Sequence, residues 1–478
     1  MNSKWLWIPI VATSILIGYI VGNGFRDPSN DREAEASNRP PTTASSQRPE
    51  GPPDELAPFF TLIGPNTPAI SEAFTAIDEQ WQPGTAIMLL ELCRFAQNPT
   101  TVTGTVKLLK KKYEVDRGNM LQDWMVYVWG LSETQHPLYV KFKKRLYSFA
   151  ADPRFAEYFE TTDNAQIKLE EIQWGGVLRD GIPPLVDPDS IEASEADYLA
   201  DTDVVFGIAI GDQAKAYPKR ILGWHELVRD TVGDKTIAGV YCTLCGSMIA
   251  YDPTDSSGTF HELGTSGFLY RSNKLMYDTE TKSMWSTLQG KPVVGPLVGK
   301  EIKLDSLPVV TTTWGEWKKR HPETKVVSLE TGHMRDYGEG VAYREYFATD
   351  DLMFFVPKAD DRLKNKDEVF VIRVGDLDSN SLAVKSDFLM ENPVYQTNIG
   401  EQSVLILTDE SGANRAYAWN DATPGEYDGK TLTVAEESWQ VTEDALVHAD
   451  GQKLARMPAH RAFWFAWVNQ YPETVLVK

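Results

Sequence analysis

Polar and apolar positions divide the chain into stretches of different texture. Residues 5–22 form an uncharged apolar run with Trp5, Trp7 and Tyr19 near its ends, long enough to cross a bilayer. Lys4 precedes the run and no small-x-small cleavage site follows it. The pattern therefore predicts an uncleaved membrane anchor over residues 1–26, with a cleaved signal peptide as the competing reading. Residues 27–56 are rich in Pro, Ser, Thr, Asp and Glu, as in a disordered linker. From 57 to 172 apolar residues recur at helical spacing, in segments 86–95, 105–113, 121–129 and 139–147. Pro99, Gly118, Pro137 and Pro153 punctuate them, which predicts a small helical bundle. From Trp174 onward short β-prone runs alternate with Gly, Pro and Asp turns to the C-terminus.

This β-rich part repeats itself. Val205-Phe-Gly-Ile208 returns as Val369-Phe-Val-Ile372. Leu307-Pro308, Trp314, Trp317 and Pro322-Glu-Thr324 return as Met457-Pro458, Trp464, Trp467 and Pro472-Glu-Thr474. Trp285 has Trp439 as its counterpart. The expected fold is α+β: a transmembrane helix, a helical bundle, and a β-rich body built from two copies of one unit, 173–345 and 346–478.

Charge narrows the function. Acidic residues outnumber basic ones by 68 to 47, which argues against nucleic acid and anionic membrane surfaces as general partners. The inner membrane is then a partner through the N-terminal helix alone, and the bulk of the chain is periplasmic. Three cysteines are too few for a disulfide framework. Cys93 falls on an apolar helical face and reads as core.

Cys242 and Cys245 flank Thr243-Leu244 between two β-prone runs, and Gly246 follows directly. That spacing predicts strand, tight turn, strand, with both sulfurs on the turn; Pro253 arrives too soon for a redox helix. Thiolates suit soft metals, so a transition-metal site is expected, copper before zinc. His225 is the first additional ligand and Met276 the next, while Glu226 is a ligand, a partner of a histidine, or a general base. Met248 and His261 are weaker candidates, read as core and surface respectively. His321, His333, His448 and His460 lack ligand spacing. Anchoring the two copies on Gly233 and Gly400 sets Cys242 against Asp409, Cys245 against Gly412 and His225 against Asn392. Anchoring them on Trp285 and Trp439 sets Met276 against Lys430. The soft donors thus belong to the first copy only. A thiol–disulfide oxidoreductase using the same cysteines and a non-catalytic interaction module are the alternatives. No phosphate-cradling glycine loop, G-x-S-x-G or H-E-x-x-H occurs in the sequence.

Six motifs occur in order: Asp180-Gly-Ile-Pro-Pro184, Ala216-Tyr-Pro218, Trp224-His-Glu226, Tyr241-Cys-Thr-Leu-Cys-Gly246, Leu275-Met-Tyr-Asp278 and Trp314…Trp317…His321-Pro-Glu-Thr324. Together they resemble the bacterial and archaeal domain-of-unknown-function family 3179, which usually carries proline where Thr243 stands. The resemblance implies that His225, Cys242 and Cys245 occupy motif positions, and that residues 57–170 are an N-terminal extension of the kind many members carry.

Overall fold

In the computed structural model, residues 54–131, 133–160, 164–375, 379–420, 424–435 and 437–478 are described. The expected anchor, and the linker up to residue 53, lie outside them. Among the described residues no helix is long and apolar enough to cross a membrane. The chain divides into two units, Met1–Pro153 and Arg154–Lys478.

The first unit is helical. Thr67–Glu79 and Pro99–Tyr113 start on Asn66 and Asn98, whose side-chain oxygens accept the Ala69 and Thr100 N–H groups. Proline in each first turn loses no helical hydrogen bond there. Thr85–Leu92 is buried at every residue, and its one charged side chain, Glu91, pairs with Lys143 Nζ at 2.8 Å. The Cys93 thiol that follows donates to Thr105 Oγ1 at 3.3 Å, and burial pushes its pKa up to about 12. Cys93 is core.

The second unit is a β-rich body of several sheets with short helices, so the described chain is mixed α+β. Phe155, Tyr158 and Phe159, at the start of the second unit, pack edge-on against Phe268 of the β body.

One sheet of this unit runs in the order Val310–Thr313, Val204–Ile210, Gln213–Pro218, Lys325–Val327, ending on Ser190–Glu192. Another runs Ala459–Phe463, Glu368–Arg373, Ser381–Lys385, Val475–Val477. In both, the fourth strand joins the third in parallel while the others are antiparallel. The recurring tryptophans serve the same purpose in each half. Trp317 Nε1 donates to Thr324 Oγ1 at 2.8 Å, and Trp467 Nε1 donates to Thr474 Oγ1 at 3.0 Å. A buried indole N–H needs such a partner, so tryptophan and the threonine of Pro-Glu-Thr recur together.

Each half also carries an antiparallel hairpin ladder. Leu227–Val232, Lys235–Cys242 and Ser247–Tyr251 adjoin in one. Val394–Ile399, Gln402–Thr408 and Asn414–Ala418 adjoin in the other. The short helices Lys219–His225 and Ser386–Glu391 precede them.

Candidate functional site

The Cys242–Cys245 turn closes a tightly paired hairpin, with Cys242 opposite Ser247 and Tyr241 opposite Met248. Thr243–Cys245 forms one 3-10 turn, and Gly246 reverses the chain at φ +63°. A Cβ at 246 would stand 2.9 Å from the Phe463 ring, so both conformation and space require glycine. The sequence placed both sulfurs on this turn, and they are there, joined as a disulfide with Cα atoms 5.2 Å apart.

The disulfide is buried, Cys242 at 3% exposure and Cys245 at 0%. Leu244, Leu269, Tyr346, Phe354, Phe463 and Phe465 surround it. Two hydrogen bonds fasten this cover: Tyr346 O–H donates to Leu244 O at 2.8 Å, and Ser272 Oγ donates to Phe354 O at 3.1 Å. Tyr346 lies on Arg344–Phe347, so the expected boundary at 345/346 cuts through a helix that packs over the cysteines. The turn also holds two buried hydroxyls, Thr243 Oγ1 and Ser247 Oγ, without protein partners.

His225 and Glu226 are adjacent in sequence but engage different partners. His225 ends the helix Lys219–His225, and Glu226 caps it in the left-handed conformation at φ +57°. The cap keeps Glu226 N–H on Leu222 O, and Glu226 O accepts Tyr241 N–H at 2.9 Å. The Glu226 carboxylate is buried, 2.9 Å from Lys274 Nζ, and accepts Tyr343 O–H at 3.2 Å. Lys274 stands opposite Leu269, which packs on the disulfide, and Tyr343 packs on the same cluster. Glu226 is therefore the anionic half of a buried ion pair beside the cysteine turn.

His225 is fully buried, with Nδ1 2.8 Å from Pro183 O and Nε2 2.6 Å from Tyr337 Oη. A carbonyl can only accept, so Nδ1 carries the proton and Nε2 accepts from the tyrosine. Burial first, then His333 and Arg335 nearby, hold the imidazole neutral down to about 4. Thr331 Oγ1 lies 2.6 Å from Tyr337 Oη and the His333 ring 5.1 Å from that of His225. Tyr337, His333, Arg335 and Arg220 line an open depression here.

Both ring nitrogens of His225 are thus engaged apart from the sulfurs. Met276 does not join them either. It sits at 0% exposure among Val240, Ile249 and Trp285, opposite Trp285 and Thr265 in the sheet. It is core because its strand is covered on that face. Among the described residues no group of three or more His, Cys, Asp or Glu side chains is disposed to hold a metal ion. The set Cys242, Cys245, His225 and Met276 is not assembled, and the arrangement does not fit a copper or zinc centre.

Met248 is buried against Ile237 and Tyr241, as expected. His261 is not on the surface: at 3% exposure its ring bridges Asp278 Oδ2 at 2.9 Å and Asp255 Oδ2 at 3.0 Å. Those carboxylates compensate the buried ring, and their separations of 17 and 6 residues form no recognisable spacing. Lys274, Tyr337 and Tyr343 were missed. The one sequence signal was the aromatic density of Tyr343-Arg-Glu-Tyr-Phe347, which lies across the presumed boundary.

Other motif residues are tied by hydrogen bonds of their own. Asp180 accepts Tyr277 O–H at 2.6 Å, Tyr217 O–H donates to Asp230 at 2.8 Å, and Trp224 Nε1 donates to Asp336 O at 2.8 Å. The model of the family described as Protein of unknown function (DUF3179) matches residues 179–474, more than half of the chain. The chain belongs to that family. No curated protein and no solved structure matches it.

Proposed function

For this member of the family we propose that Cys242 and Cys245 form a reversible two-electron thiol–disulfide couple, held on the extracytoplasmic side by the anchor over residues 1–26. The observation that carries the reading is the disulfide itself, closed between residues three apart in a hairpin that backbone hydrogen bonds already fix. A cross-link over so short a loop restrains the unfolded chain little, about 2 kcal/mol. Its value to the fold alone is small, and the other half builds the corresponding turn without sulfur. We take that correspondence to reflect two copies of one unit.

In the reaction proposed, a thiolate of a dithiol donor attacks the sulfur of Cys242, the less buried of the two. A mixed disulfide forms and Cys245 leaves as thiolate. The donor's second sulfur then attacks the mixed disulfide, the donor departs as its own disulfide, and its two protons end on Cys242 and Cys245. The oxidised chain is the electron acceptor. Entry requires the Tyr346 and Phe354 cover to give way. The buried Lys274–Glu226 pair sets a charged group beside a sulfur centre that passes through thiolate.

The test is thiol counting on the full-length chain in detergent, equilibrated in reduced and oxidised dithiothreitol. Two alkylatable thiols beyond Cys93 appear and disappear reversibly in the folded protein, and either Cys→Ser variant abolishes the couple. A disulfide that opens only on unfolding overturns the reading. Stoichiometric copper or zinc held by the reduced chain and lost in His225→Ala would replace it with the metal centre.

A further inference from the structure

A second site lies in the seam between the two halves of the β body. A cavity of 310 Å³ opens where Ser247–Tyr251 meets Ala459–Phe463. Its rims repeat one another: Leu307-Pro308-Val309 on one side and Met457-Pro458-Ala459 on the other. Met248, Leu288 and Trp467 give it apolar walls. Lys303, Arg373 and Arg456 also line it, against the single carboxylate of Asp305. Arg456 already donates to Val309 O at 2.9 Å and lies 3.6 Å from the Glu443 carboxylate, which fixes that guanidinium at the rim and leaves Lys303 and Arg373 as the cations set against Asp305. Cations prevail here although the chain carries 68 acidic residues and 47 basic ones.

His460 lines the same cavity. Its Nε2 is buried and has no hydrogen-bond partner. Burial also holds the ring neutral down to about 4. The internal repeat shows whether the scaffold needs an imidazole at this position. His460 stands opposite Val371, and Val310 stands opposite Gly207. Val371 and Gly207 are the third residues of the recurring Val-Phe-x-Ile strands. A valine therefore does the structural work of this position in the other half. A buried ring nitrogen without a partner is costly, and nothing in the fold calls for it.

We propose that the cavity binds a small organic anion, a carboxylate with a compact apolar body. Its acid group meets the cations and gives His460 Nε2 its missing partner, while its body lies against Met248, Leu288 and Trp467. The volume suits a small ligand, and a seam between packed halves is a common place for one.

The experiment is isothermal titration of the full-length chain in detergent with benzoate and with hexanoate, using benzyl alcohol as the uncharged control. At least one of the two acids binds saturably, the alcohol about tenfold more weakly or worse. His460→Val, which copies the residue of the other half, stays folded and weakens acid binding by about tenfold. The Cys242→Ser/Cys245→Ser chain binds as the parent does, which separates this site from the sulfur couple. No saturable binding of either acid, equal binding of the alcohol, or unchanged affinity in His460→Val overturns the proposal.

Discussion

The hairpin of Lys235–Cys242 with Ser247–Tyr251 and its counterpart, Gln402–Thr408 with Asn414–Ala418, carry short turns held by different chemistry. The first turn is tied by the Cys242–Cys245 disulfide under an aromatic cover. The second is tied by one carboxylate. Asp409 Oδ1 accepts Ser411 N at 3.0 Å, Ser411 Oγ at 2.6 Å and Ala413 N at 3.1 Å, while Oδ2 accepts Arg415 Nη1 at 3.0 Å. Arg415 is fully buried and also pairs with Glu443 at 2.8 Å. Glu443 is held well below the usual carboxylate range by Arg415, His321 and Arg320, which outweigh its desolvation. An ordinary polar network is thus enough to close this hairpin. Where sulfur replaces it, the turn gains what a carboxylate cannot supply, an acceptor of two electrons, and the proposed couple draws on that difference.

The comparison can be broken most forcefully at the polar turn. Asp409→Ala leaves Arg415 buried with half its compensation and removes three turn hydrogen bonds, so it should cost about 3–5 kcal/mol in chemical denaturation. A loss no larger than that from cutting the disulfide would erase the contrast.

Acid sharpens the contrast in both halves. His225 and His460 are each held neutral by burial to about 4, below the unfolded value, so the unfolded chain binds more protons between those limits. Stability should be full above about pH 6.5, fall as pH drops towards 4, and lose up to about 3 kcal/mol per histidine. His225→Gln flattens the His225 part of that slope, and His460→Val the His460 part. An acid slope unchanged in both variants would contradict the buried neutral rings.

Cutting the sulfur turn comes next in size. Cys242→Ser/Cys245→Ser should lower unfolding free energy by about 2 kcal/mol while removing the redox couple entirely. The smallest effect belongs to the element that both halves share. Trp317→Phe and Trp467→Phe each remove one indole donor from a buried threonine hydroxyl, of which Thr324 keeps its bond to Lys325 O at 3.1 Å, so each loses about 1 kcal/mol from that hydrogen bond. The two costs should agree within about 0.5 kcal/mol, and a wide difference would show that the matching hydrogen bonds do unequal work.

Much of this was legible in the chain. Helical periodicity gave way to strands close to the observed change, and the strand–turn–strand around Cys242 and Cys245 followed from flanking β-prone residues and Gly246. The recurring Trp and Pro-Glu-Thr positions read as scaffold, and the indole-to-threonine hydrogen bonds give the reason. The destinations of polar side chains were not legible. His225 and Glu226 part company because Glu226 takes a left-handed backbone, which no residue type there announces. His261 looked exposed because its two aspartates are brought to it only by tertiary packing. Lys274 carries no sequence mark distinguishing a buried ion pair from a solvated charge. Soft donors at plausible separations suggested a metal, but Met276 points into a core that the alternation of its strand could equally have supplied.

The most direct test of the sulfur couple is to follow thiol content and unfolding free energy of the full-length chain together, across dithiothreitol buffers of graded potential. The account predicts that Cys242 and Cys245 become alkylatable in step while the protein stays folded, with stability lower by only about 2 kcal/mol and both changes reversed on reoxidation. Thiols that appear only as the chain unfolds would make the disulfide a structural tie and contradict it.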